Sequence, residues 1–330
     1  MNTLINLQDR ILNLNSGNFK ELALDVFDFQ SKNNVVYSQY LKLLHKQDIQ
    51  PVQLAQIPFL PAEIFKHRII KSGDWNEDII FESSGTTQLL KSKHYVRSLN
   101  WYYQIAKSCF EYHYGRIENY EFIGLLPSSE ERPNSSLVSM FNSFSKGSKS
   151  VVHESSFIND HQALYNLLSS SEYLNKKIIL IGLSFALLDF VNNYLIENTN
   201  MIVIETGGMK GNGRKTDKEI LLGELRKGFP NAEVHSEYGM TELMSQAYAL
   251  DGKHYSSAPV VNFLISDPSD PTVFLPYGKR GIINVIDLGN INTCSFLQTG
   301  DLGIINENQQ LEVLGRYNPD EVRGCIQMYE

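Results

Sequence analysis

Apolar positions recur at two spacings along this chain, and the change from one to the other divides it. In the first 50 or so residues the sequence is polar, with apolar side chains at helical intervals, Leu22, Leu24, Val26 and Phe27 among them. This predicts two or three short helices. Pro51, Pro58 and Pro61 then break the chain into an extended connector. A Ser/Thr loop at 83–87 leads into an aromatic-rich helix over roughly 96–112.

The middle alternates. Residues 177–182 are a short apolar run of buried-strand type, and Ser184 is placed to cap a helix from Phe185 to about Ile196. Residues 201–205 give a second strand. Thr216 and Glu219 have capping-box spacing for a helix ending near Lys227, with Gly228 and Pro230 as its stop. Residues 233–236 give a third strand. Strands alternating with helices predict an α/β fold, a parallel sheet with helices on its faces. After about 255 the pattern becomes strand on strand, at 281–287, 302–306 and 311–314. The expected organisation is one large domain: a helical segment (about 1–60), an α/β part (about 61–254) and a β-rich subdomain (about 255–330).

Composition excludes more than it adds. Of 330 residues, 42% are hydrophobic and 20% charged, as in a soluble globular protein. A net charge of −8 argues against a nucleic-acid-binding surface. The N-terminus lacks the basic start and apolar run of a signal peptide, and no apolar stretch is long enough to span a bilayer. A cytoplasmic location is expected. Cys109, Cys294 and Cys325 have neither disulfide-framework nor zinc-site spacing.

Five strings carry candidate chemistry. Ser83, Ser84, Gly85, Thr86 and Thr87 form a loop whose hydroxyls and N–H groups suit phosphate oxygens, and Lys91 and Lys93 follow as counter-charges. His94 lies just beyond. The run 207–216 separates Gly208 and Gly213 as a Walker A loop does, but its lysine comes one place too late. Gly207 and Gly208 read better as a strand-to-helix turn at the carboxyl edge of a parallel sheet, where open α/β sheets bind ligands. Tyr238, Gly239, Thr241 and Glu242 follow the third strand; there a tyrosine can stack on a purine, a threonine can bond phosphate and a glutamate can hold Mg²⁺. Thr299, Gly300 and Asp301 offer a carboxylate for paired hydroxyls. Cys325, beside Arg323 and Gly324, is a thiol five residues from Glu330. Each string has an ordinary alternative: a solvated loop, a turn into a helix, a β-turn, an inert cysteine.

With the Gly-Arg pair at 315–316, the order of the motifs at 81–87, 238–242, 299–301, 315–316 and 323–325 is more specific than any one string. It resembles the adenylate-forming superfamily of acyl-CoA synthetases and nonribosomal-peptide adenylation domains. The doubled Ser83–Ser84, the stretch from Lys91 to His94, the turn from Thr206 to Lys210 and the Arg323-Gly324-Cys325 tail are more closely similar to the acyl-protein synthetase (LuxE-type) family. The resemblance implies the N-terminal-domain fold of adenylate-forming enzymes, ATP and Mg²⁺, and a carboxylic, fatty, acid carried as acyl-AMP to Cys325. It also implies delivery to an acyl-accepting protein, a reductase or carrier protein. By position, Ser83 to Thr87 hold phosphates. Gly207, Gly208, Tyr238 and Gly239 shape the adenine site. Thr241 and Glu242 serve phosphate and Mg²⁺, and Asp301 and Arg316 bind ribose. Lys91 and His94 join Cys325 as catalytic candidates. The chain departs from the superfamily at Gln88, where glycine is usual, and is expected to lack the mobile C-terminal domain. Transfer straight to coenzyme A or a carrier protein, and a non-catalytic binding subunit, are the alternatives.

Overall fold

The computed structural model describes residues 2–14, 16–84, 90–148, 157–170, 173, 176–207 and 217–317. Three helices open the chain: α1 (Asn2–Leu12), α2 (Phe19–Asn33) and α3 (Val35–Leu43). Helix α2 buries Phe19, Leu22, Ala23, Val26, Phe27 and Gln30, three or four residues apart, so one stripe faces the core. Asn34 ends α2 and caps α3, its side-chain oxygen accepting from the Tyr37 N–H at 2.9 Å. The proline-broken connector holds two short 3₁₀ turns and β1 (Leu60–Pro61).

The Ser/Thr loop leads into a strand rather than a helix. Strands β2 (Ile79–Glu82) and β3 (Lys93–Val96) pair as an antiparallel hairpin on either side of it, and β3 takes Val96, where the helix was expected to start. Helix α4 (Leu99–Tyr114) begins at its cap Ser98.

Four parallel strands form the centre: β4 (Glu121–Leu125), β5 (Ile178–Leu183), β6 (Met201–Thr206) and β7 (Glu233–Tyr238). Strand period 2 sends alternate residues to opposite faces. Phe122, Ile179, Ile181 and Ile204 join one core cluster with α4 and α5 (Ser136–Gly147). Ile123, Leu180, Val203 and Val234 join another with α6 (His161–Leu168), α7 (Ser184–Val191) and α8 (Lys218–Gly228). Two local expectations fail here. Ser184 does not cap α7; its hydroxyl turns to Glu205 Oε2 at 2.6 Å, and α7 stops at Val191 before the poor helix formers Asn192 and Asn193. Asp217, not Thr216, caps α8 among the described residues. Gly228 is its last residue, and only glycine fits there, since a Cβ would lie 2.3 Å from the Val191 Cβ.

The β-rich region continues the same sheet. Strands β8 (Ala247–Ala249), β9 (His254–Ser257), β10 (Val261–Ser266), β11 (Gly281–Asp287), β12 (Phe296–Ile305) and β13 (Leu311–Arg316) complete the order β10-β11-β12-β13-β9-β8-β7-β6-β5-β4, with β1 beside β12. Thr299, Gly300 and Asp301 lie in the middle of β12, not in a turn before it.

Candidate active site

The parallel strands β5, β6 and β7 end at Leu183, Thr206 and Tyr238. Just past β6, Gly207 takes φ +86°, in the left-handed region that favours glycine. Beside it sits a polar cluster. Glu205 is buried, accepts from the Ser184 hydroxyl and pairs with the Lys218 ammonium, which also reaches the Tyr255 hydroxyl at 3.3 Å. Burial pulls Lys218 down to about 8, against the pull of the Glu237 charge. The Thr206 hydroxyl donates to Glu237 Oε2. Burial pushes Glu237 up to about 7, against that bond and Lys218. The sequence reading missed Ser184 in this role, Glu205, Lys218 and Glu237. The available signal was a glutamate next to the last residue of both β6 and β7.

Three expected site residues meet in one group. The Tyr238 hydroxyl donates to Asp301 Oδ2 at 3.0 Å, and Arg316 Nε donates to Asp301 Oδ1 at 3.0 Å. Asp301 and Arg316 are register partners across β12 and β13. The Tyr238 ring meets Tyr255 and Phe263 edge-on, with centroids 5.9 and 6.3 Å away. Burial, then the Asp301 charge, holds the Tyr238 phenol well above its ordinary range.

After Tyr238 the chain turns without forming a helix and enters β8. A Cβ on Gly239 would lie 2.4 Å from Glu237 Oε1. Thr241 is half-buried and Glu242 buried. Side chains from elsewhere hold this turn by its backbone. His94 Nδ1 bonds the Thr241 carbonyl at 2.8 Å, and Asn290 Nδ2 donates to the Glu242 carbonyl at 2.8 Å. Buried Asp287 accepts from the Met244 N–H at 2.8 Å, the Ser245 N–H at 3.1 Å and the Ser245 hydroxyl at 2.6 Å. Asp287 and Asn290 were not read as site-forming from the sequence.

On the hairpin, Ser83 Oγ accepts from the Ser92 N–H at 3.0 Å, and Ser84 is exposed. Lys91 and Lys93 both face Glu82, at 3.4 and 3.9 Å. His94 has no exposed surface. Its Nδ1 lies on the Thr241 carbonyl, its Nε2 lies 3.1 Å from Thr293 Oγ1, and burial pulls its pKa down to about 4. The ring is therefore neutral near pH 7, with Nδ1 the donor to the carbonyl and Nε2 an acceptor. Gly85, Thr86, Thr87, Gly208 and Cys325 lie outside the described residues. Cys109 and Cys294 are buried with thiols pushed up to about 12, poor material for a nucleophile. Trp101, Tyr102 and Phe110 pack in the core, while Tyr112 is exposed. Among the described residues no three His, Cys, Asp or Glu side chains gather as a metal-binding group.

This architecture is the fold of adenylate-forming enzymes. An open conformation of 2-hydroxyisobutyryl-CoA ligase, in complex with 2-HIB-AMP and CoA, superposes with TM-score 0.64 at 11% identity, over 94% of this chain and 74% of that one. ATP-bound MatB from Rhodopseudomonas palustris superposes with TM-score 0.54 at 19% identity, over 74% of this chain. The match spans about half, 49%, of MatB's length. The sequence matches the profile of acyl-protein synthetase, LuxE, over residues 13–330, and the chain belongs to that family. Comparison with curated proteins gives no significant match.

Proposed function

We propose that this chain activates a carboxylic acid, a fatty acid in the first instance, with ATP as acyl-AMP and passes the acyl group to a protein cysteine. The observation that carries the reading is the meeting of Tyr238, at the carboxyl end of the parallel strand β7, with Asp301 and Arg316. A carboxylate held by a guanidinium and a phenol keeps its remaining lone pairs for paired hydroxyls, the ribose demand. Gly207 and Gly208 shape the slot for the base against Tyr238 and Gly239. Ser83, Ser84, Gly85, Thr86 and Thr87, with Thr241, take the phosphates, and Lys91 leaves Glu82 to neutralise them.

Magnesium keeps several waters and needs only one or two carboxylates beside substrate phosphates, and this reading assigns that part to Glu242. When bound it supplies charge neutralisation at the phosphates. The carboxylate oxygen attacks the α-phosphorus and the bond to pyrophosphate breaks. A thiolate, assigned to Cys325, then attacks the acyl carbon and AMP leaves with the bonding pair. Catalysis here rests on positioning and charge.

An acyl-accepting reductase or carrier protein as partner, and a cytoplasmic location, go with this reading. Among the described residues no helix is long and apolar enough to cross a membrane. The test is ATP–pyrophosphate exchange across a panel of carboxylic acids, followed by intact mass. Acid-dependent exchange supports activation, and no exchange with any acid leaves a non-catalytic binding role. Cys325→Ser is expected to keep exchange and lose a hydroxylamine-labile acyl adduct. An adduct that survives in this variant, or direct transfer to coenzyme A, would overturn the cysteine assignment.

A further inference from the structure

Buried imidazoles are usually explained by packing, but His94 has bonds at both nitrogens that lead to different parts of the molecule. Its strand, β3, belongs to the hairpin that carries Glu82, Lys91 and Ser92. Nδ1 reaches across 147 residues of sequence to the Thr241 carbonyl, in the turn that presents Glu242. That carbonyl lies in a turn, so no ladder partner satisfies it if the imidazole is removed. Nε2 meets the Thr293 hydroxyl.

Thr293 is itself anchored. Its carbonyl accepts from Gln30 Nε2 at 3.2 Å, Asn34 Nδ2 at 2.7 Å and the Ser72 hydroxyl at 2.5 Å. One nitrogen therefore stands on a frame built by α2, α3 and the connector, and the other holds the turn. Phe65 packs edge-on against the ring at 5.4 Å, so an apolar side chain would fill the space but make neither bond.

We propose that His94 is a positioning residue, locking the β2–β3 hairpin and the 239–246 turn into one rigid unit so that Lys91 and Glu242 keep a fixed relation. The role rests on the adenylating function proposed above. It replaces the catalytic role first expected of His94, because a ring with no exposed surface and both nitrogens engaged touches no substrate.

The test compares His94→Asn, whose amide nitrogen occupies the Nδ1 position, with His94→Gln, whose amide reaches only the Nε2 position. Hydrogen exchange followed by mass spectrometry reads the lock without activity. In His94→Gln, amides of 239–246 and of β3 are expected to exchange about tenfold faster together, with β5 unchanged, as loss of one buried hydrogen bond implies. His94→Asn restores protection. Pyrophosphate exchange follows the same order: kcat falls about tenfold in His94→Gln at unchanged acid KM and stays within about threefold of wild type in His94→Asn.

Should His94→Gln not fold, Thr293→Val removes the Nε2 partner, along with that hydroxyl's long 3.5 Å bond to the Asn290 carbonyl, and is expected to loosen the same two segments by about threefold. The proposal is overturned if protection at 239–246 is unchanged in folded His94→Gln and Thr293→Val. It is also overturned if His94→Asn is as impaired as His94→Gln. Coupled loss of protection in a protein whose wild type performs no pyrophosphate exchange upholds the lock and removes the adenylating reading instead.

Discussion

Replacing Glu237 by Gln removes one buried titratable group and, with it, the charge that raises Lys218. In the folded chain burial raises the Glu237 carboxyl from 4.5 to about 7. At ~1.4 kcal/mol per pH unit that gap is worth roughly 3 kcal/mol. The sign follows from which state holds the proton. Between 4.5 and about 7 the folded protein keeps a proton that the unfolded chain has released. This contribution is therefore full below the lower value and is lost as pH rises through the upper one.

Gln is neutral at every pH and still offers an oxygen to the Thr206 hydroxyl. Unfolding free energy in urea, measured from about pH 5 to about pH 8, is expected to shift in favour of Glu237→Gln by roughly 2–3 kcal/mol across that range. His94 and His113, both pulled down to about 4 by burial, work in the opposite direction. Their contribution is present above the ordinary histidine value and lost as pH falls toward 4, but it is common to both proteins and cancels in the difference. A difference that stays flat within about 0.5 kcal/mol would refute the claim that Glu237 is buried as a protonated acid.

Asp301→Asn keeps the shape and removes the charge that Arg316 and Tyr238 address; acid-dependent pyrophosphate exchange is expected to fall about tenfold to a few hundredfold with little change in melting temperature. Gly207→Ala puts a Cβ at φ +86°, 3.1 Å from Leu183 Cδ2, and urea unfolding should register a loss of about 1–2 kcal/mol. Gln30→Ala withdraws the amide that serves the Asn290, Ile291 and Thr293 carbonyls and accepts from the Ser295 N–H. Calorimetry or urea titration should show a destabilisation of about 2–4 kcal/mol, because those groups stay buried without it.

The parallel core was legible because β5 and β6 are uninterrupted apolar runs bounded by glycines or polar turns. Strands β8 and β9 were not, since they are short and β9 carries His254 and Ser256, and β10 was not, since Asn262 interrupts its apolar residues. The Tyr238, Asp301 and Arg316 group was reachable only through the resemblance; nothing local ties residues 63 positions apart. The supporting frame was less accessible still. Gln30 looks like an ordinary helix-face glutamine until Ser295, 265 residues later, is known to bond it. The helix boundary missed at Ser184 has a physical cause: a hydroxyl can cap locally or serve a distant partner, here Glu205, and only the folded chain decides.

The strand order gives the bond between Tyr238 and Asp301 a geometric meaning. Tyr238 ends β7 and Asp301 lies in β12, with β8, β9 and β13 between them. In a flat sheet, four strand spacings separate backbones by about 19 Å, more than a tyrosine and an aspartate can bridge. A 3.0 Å contact between them means that the sheet curls back on itself. The group at Tyr238, Asp301 and Arg316 is thus a product of curvature, its members drawn from distant strands of one continuous sheet. A molecule bound to both Tyr238 and Asp301 would oppose flattening of the sheet, so its occupancy and the persistence of the curl would rise together by mass action.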